Sequence, residues 1–122
     1  MKTISREGID EMTRRLVAEF QPEQVILFGS HTWGTPDDDS DVDLMVIVSN
    51  SDQSAHQRMV RALHCLSAIE GPKDVLVKTR AEFDFYRDVR ASLEYKIVNE
   101  GKVLYERSEA SIHKELAGQS AT

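Results

Sequence analysis

Two aspartates spaced by one residue, Asp41-Val42-Asp43, open the apolar run Leu44-Met45-Val46-Ile47-Val48. Ten residues separate Asp41 from Gly29-Ser30, which closes another apolar run, Val25-Ile26-Leu27-Phe28. Each half suggests a chemistry. A strand that runs into glycine and then a helix start exposes unpaired N–H groups, and these favour an anion such as phosphate. Gly29 would let the backbone approach that phosphate, and Ser30 would add a hydroxyl donor. Side chains alternate along a strand, so Asp41 and Asp43 are expected on one face. Two carboxylates there repel unless a cation joins them, and their hard oxygens suit Mg²⁺. Each signal is weak alone. Gly-Ser after a strand is commonly just a turn, and a lone Asp-x-Asp is commonly a pair of solvated carboxylates.

A third carboxylate, Asp74, precedes the apolar run Val75-Leu76-Val77. If that strand lies beside Asp41–Val48, Asp74 reaches the same site and can orient or deprotonate an incoming hydroxyl. Read locally, it is a polar residue at a strand edge. Together these residues fit nucleotidyl transfer, an in-line attack on the α-phosphate of a nucleoside triphosphate with loss of pyrophosphate. Metal ions stabilise the attacking and leaving oxygens in such displacements. The rest is positioning and charge neutralisation, with no need for a nucleophilic Ser or Cys.

The elements that must position these residues are legible in the pattern. Ile9, Met12, Leu16 and Phe20 recur at helical spacing, so a helix is expected over about 5–19, with Ser5 as cap. Gln24 to Phe28 reads as a buried strand, followed by a brief helix from Ser30 and a polar loop over 34–40. Asp41 to Val48 is the second strand. Ala55, Met59, Ala62, Leu63 and Leu66 predict a helix over about 54–69, stopped by Gly71-Pro72. Val75–Val77 is the third strand. A helical turn over 81–86, a helix marked by Val89, Leu93 and Ile97 and closed by Gly101, and a last strand over 102–106 complete the order. Strands alternating with helices give an α/β (α+β) class with a small mixed β-sheet flanked by helices. One domain is expected over 1–107. Residues 108–122 form a tail with only Ile112 and Leu116 as large apolar residues, and it reads as a frayed helix, a partner contact or disorder.

Composition narrows the partners. The chain has 122 residues and a formal net charge of −6, which argues against a bulk nucleic-acid surface. The one cysteine, Cys65, lies in a helical pattern and reads as buried filler, and a reducing compartment fits. No apolar run approaches a membrane span and no signal peptide is visible, so no membrane association and a cytoplasmic location are expected.

The combination of Leu27-Phe28-Gly29-Ser30, Gly34, Ser40-Asp41-Val42-Asp43-Leu44, Lys73-Asp74-Val75-Leu76-Val77 and Gly101-Lys102-Val103-Leu104-Tyr105-Glu106 is specific. It resembles the DNA polymerase β-like nucleotidyltransferase superfamily, in its minimal nucleotidyltransferase (MNT) branch, over about residues 4–106. The resemblance implies the polymerase β-like nucleotidyltransferase fold, ATP or another nucleoside triphosphate as donor, and Mg²⁺. It implies Asp41, Asp43 and Asp74 as catalytic and metal-binding residues, with Gly29 and Ser30 binding nucleotide. Many MNT proteins are antitoxins paired with a HEPN-domain toxin, and some transfer AMP to a toxin tyrosine. That makes a hetero-oligomer with such a toxin the expected assembly. His31-Thr32-Trp33 departs from the small and basic residues frequent in the family after Gly-Ser. Trp33 is expected to bury against the sheet and His31 to face solvent in the loop. Asp37-Asp38-Asp39 reads as a solvated loop. Arg58 and His64 match a HEPN-like Arg…His spacing by coincidence, with His64 an ordinary helix residue.

Three functions remain in view. The first is AMP transfer to a protein hydroxyl, since the chain shows no second domain to hold an acceptor. The second is neutralisation of a toxin by binding alone. The third is nucleotidyl transfer to a small molecule such as an aminoglycoside.

Overall fold

The computed structural model describes residues 3–37 and 39–108. Its elements are α1 (Arg6–Phe20), β1 (Gln24–Phe28), a 3-10 turn (Gly29–His31), β2 (Val42–Val48), α2 (Ala55–Cys65), β3 (Lys73–Thr79), α3 (Arg80–Tyr86), α4 (Leu93–Glu100) and β4 (Lys102–Glu106). The sheet order is β3-β2-β1-β4. Strand β1 pairs antiparallel with β2 and β4, and β2 pairs parallel with β3, so the sheet is mixed as expected.

Alternation along β2 divides the core. Val42, Leu44, Val46 and Val48 face α1 and α2, where they meet Met12, Leu16, Ala62 and Leu66. Met45 and Ile47 face the other side, with Ile26, Phe28, Phe83 and Ile97. Both faces of the central strands β1 and β2 are therefore covered, while the edge strands β3 and β4 are partly open to solvent. Parallel pairing of β2 and β3 needs a crossover, which α2 provides.

Serine and threonine caps start the helices. Ser5 accepts the Gly8 N–H at 3.1 Å. Ser54 with Gln57, and Thr79 with Glu82, form reciprocal capping boxes. The second helix ends at Cys65, four residues earlier than the periodicity predicts. Leu66 and Ile69 still pack on the core after the backbone has turned, which is why the apolar spacing ran on. The last helix starts at Leu93, capped by Ser92, and Val89 lies outside it in a turn, about half exposed. The expectation for the tail falls on residues 109–122, outside the described residues.

Arg58 is the buried anchor of the α2–β3–α3 corner. Its guanidinium donates to Val77 O at 3.0 Å and to both Glu82 carboxylate oxygens, at 2.8 and 3.0 Å. Those bonds, then the Thr79 backbone N–H, hold the Glu82 pKa down at about 2. His64 is exposed on α2, as expected of an ordinary helix residue.

Candidate active site

The register of the sheet assembles the site. Asp43 is the Cα partner of Phe28 on one side and of Asp74 on the other. The row Phe28–Asp43–Asp74 thus crosses three strands, and Gly29-Ser30 follow directly from its end. The parallel pairing that the sequence left conditional is present, and it sets two carboxylates side by side on adjacent strands.

Asp43 is half-buried, while Asp74 and Asp41 are exposed. Asp41 lies one residue ahead of β2, not within it. Burial first, then the charges of Asp74 and Asp41, raise the pKa of Asp43, and nearby His31 opposes them. Among the described residues, no lysine or arginine forms an ion pair with any of the three. The neighbouring Lys73 ammonium is turned away, donating to Ile69 O at 2.5 Å and Gly71 O at 3.2 Å. Repulsion among the carboxylates is therefore left standing, and a hard divalent cation is the ligand whose chemistry fits this donor set. Among the described residues, no three acidic, histidine or cysteine side chains are gathered at metal-ligand spacing.

Gly29 adopts φ +81°, and a Cβ there would overlap the Asp43 carboxylate and lie 3.2 Å from its Cγ. Only glycine satisfies both the left-handed backbone and this close approach. Its carbonyl accepts the N–H groups of Thr32 (2.9 Å) and Trp33 (3.0 Å), which closes the turn. Ser30 sits in the middle of that turn.

Trp33 packs against the Phe28 side of the core, with ring centroids 6.0 Å apart, as expected. Lys96 Nζ lies 4.5 Å from the centre of its ring, a contact that the sequence did not suggest. His31 corrects its expectation. It is half-buried and tied to Thr3, with Nε2 3.2 Å from Oγ1, because the turn folds back beneath the chain's first described residues. Asp37 and Asp39 are exposed, in keeping with a solvated loop. Cys65 is partly buried, and burial raises its thiol pKa, which suits packing better than attack. A cavity of about 400 Å³ lies at the opposite end of the sheet, between Glu23 and Gln24 and helices α3 and α4. Its Arg80 and Arg87 are paired with Glu23 and Asp84.

With this geometry in view, comparisons with known proteins are decisive for the family. The sequence profile of the family described as Polymerase beta, Nucleotidyltransferase matches residues 11–110. The chain belongs to the polymerase beta nucleotidyltransferase family. Membership covers the turn, the Asp-x-Asp pair and β3 in one continuous stretch. Two solved structures share the fold. A candidate nucleotidyltransferase from Sulfolobus solfataricus superposes with a TM-score of 0.60 at 21% identity, over 84% of this chain and 81% of that one. A toxin–antitoxin structure with AMP-PNP superposes with a TM-score of 0.58 at 21% identity, over 90% of each chain. No curated protein matches the sequence. Among the described residues, no helix is long and apolar enough to cross a membrane.

Proposed function

We propose that the chain transfers AMP from ATP to a tyrosine hydroxyl of a partner protein, and so acts as the antitoxin of a HEPN ribonuclease toxin. The observation that carries this reading is the Asp43–Asp74 pair, without a lysine or arginine ion-pair partner among the described residues, set beside the Gly29-Ser30 turn. Asp41, Asp43 and Asp74 would hold Mg²⁺. When bound, the metal supplies charge neutralisation at the phosphates and the attacking oxygen. Magnesium keeps few protein carboxylates and completes its shell with substrate phosphates and water, which fits a site whose carboxylates are not gathered around one point beforehand.

The chain's own residues then have distinct tasks. The Gly29-Ser30 turn presents backbone N–H groups and a hydroxyl to the phosphates. Asp43, rigid on a central strand, would hold the cation that neutralises the α-phosphate. Asp74, exposed on the adjacent strand, orients the incoming hydroxyl and takes its proton. The hydroxyl oxygen bonds to the α-phosphorus, the bond to the bridging oxygen breaks, and pyrophosphate leaves with the electron pair.

We infer that the acceptor is a protein. The similarity to a toxin–antitoxin structure with AMP-PNP supports this choice. The test incubates the chain with ATP, Mg²⁺ and the product of the adjacent gene. The partner's intact mass should rise by whole AMP units. No adduct on the partner, with ATP binding demonstrated, sinks the proposal. Full neutralisation by Asp41→Ala and Asp43→Ala variants would favour masking instead.

A further inference from the structure

The segment ahead of α1 touches three stretches of chain that adjoin candidate site residues. Thr3 lies between two of them. Its hydroxyl donates to Ser40 O at 2.6 Å, one residue before Asp41. Its Oγ1 also lies 3.2 Å from Nε2 of His31, one residue after Ser30. A hydroxyl has one proton to give. With that proton on Ser40 O, Oγ1 must accept, so His31 Nε2 carries a hydrogen. Among the described residues, the turn at 29–33 and the loop at 37–41 exchange no direct hydrogen bond, so Thr3 is their polar link.

Ile4 reaches the third segment. It is buried in the core beneath α1 and α2, against Gly71. Gly71 has φ +125°, and a Cβ there would run into the Ile4 side chain. Pro72, next in sequence, accepts the Val42 N–H at 3.0 Å, and β3 with Asp74 begins immediately after. Two consecutive residues thus contact the residue after Ser30, the residue before Asp41 and the turn ahead of Asp74.

We propose that Thr3 and Ile4 form a clasp that fixes these three segments relative to one another, with Thr3 the positioning residue for Asp41 and the Gly29-Ser30 turn. The inference rests on the nucleotidyl-transfer reading for its functional consequence, but its geometry can be tested separately. Thr3→Val keeps the shape and removes the hydroxyl, and Thr3→Ser keeps the hydroxyl. In transfer assays Thr3→Val should lower kcat about tenfold and raise the Mg²⁺ concentration for half-maximal rate severalfold, since small misplacements of reacting groups are costly. Thr3→Ser should restore both losses. A merely structural hydroxyl would lower Tm and leave kcat per folded molecule and the Mg²⁺ requirement unchanged, which overturns the clasp.

Long-range ¹⁵N–¹H spectra of His31 supply the independent arm. The neutral ring should be the Nε2–H tautomer in the wild type, and an Nδ1–H tautomer contradicts the proposal. Should the wild type transfer no nucleotide, the transfer reading fails by itself. The clasp is then decided by the tautomer and by the amide resonances of Ser30, His31 and Asp41. These must move in Thr3→Val and return in Thr3→Ser; if they do not, the clasp is wrong.

Discussion

Replacing Gly29 by alanine probes the link between backbone conformation and chemistry. The added methyl faces two penalties. At φ +81° an L-residue pays about 1–2 kcal/mol for the left-handed backbone. The methyl also lands on the Asp43 carboxylate, so that side chain must leave its rotamer, at about 0.5–1.5 kcal/mol more. The sum, about 1.5–3.5 kcal/mol, corresponds to a fall in Tm of roughly 5–18 °C for a domain of this size. Activity should fall further than stability, by about a hundredfold in kcat, because the displaced carboxylate is the one proposed to hold the cation at the α-phosphate. Thermal unfolding followed by circular dichroism, with transfer assays well below Tm, measures both. A double mutant separates the parts. In an Asp43→Ala background the clash disappears, and Gly29→Ala should cost only the backbone share. A Gly29→Ala variant with wild-type Tm and activity within twofold would refute the reasoning.

Other consequences follow from the same geometry. Asp43→Asn should abolish transfer yet raise the Tm of the metal-free protein at pH 7. A carboxylate whose pKa is raised on folding is fully accommodated only below its unfolded value, and its stability contribution is lost as pH rises through the folded one. The Tm gain should therefore shrink toward pH 4, and a Tm loss at pH 7 would mean that Asp43 is structural. Arg58→Met should cost about 2–4 kcal/mol in urea unfolding, because it removes the buried donor to Val77 O. Glu82→Gln should cost much less, since its side chain is 47% exposed and solvent-screened. Equal losses would contradict the assignment of burial to Arg58 alone. Glu82 has the opposite sign to Asp43. Its pKa is lowered to about 2, so its contribution is present above the ordinary carboxylate value and lost as pH falls from about 4.5 toward 2. Glu82→Gln should flatten the acid limb of a Tm–pH curve in that window.

The parts of the fold that were legible in the sequence are those that local pattern determines. Gly29-Ser30 between an apolar run and a polar loop located the turn, and Ser5 located the first helix start. The adjacency of Asp74 to Asp43 was readable only as a condition, because strand order depends on the α2 crossover and not on either strand's residues. The role of Arg58 was missed. Its partner lies 24 residues away across a strand and a capping box, and an arginine on an amphipathic helix gives no local sign that it points inward. Thr3 and Lys96 were missed for the same reason. Each acts through a contact between segments distant in sequence, with His31 and Ser40 in one case and Trp33 in the other. The end of α2 was misplaced because Leu66 and Ile69 remain in the core after the helix stops, and periodicity reports burial more faithfully than backbone hydrogen bonding.

The central claim is that the row formed by Asp43 and Asp74, with the Gly29-Ser30 turn at its end, performs nucleotidyl transfer. Labelled ATP tests it most directly. The chain, Mg²⁺ and the product of the adjacent gene are incubated in parallel with ATP labelled at the α-phosphate or at the γ-phosphate. The account predicts label on the partner protein from the α-position only, lost in both Asp43→Asn and Asp74→Asn. Label arriving from the γ-position, or α-label that persists in both variants, would contradict it.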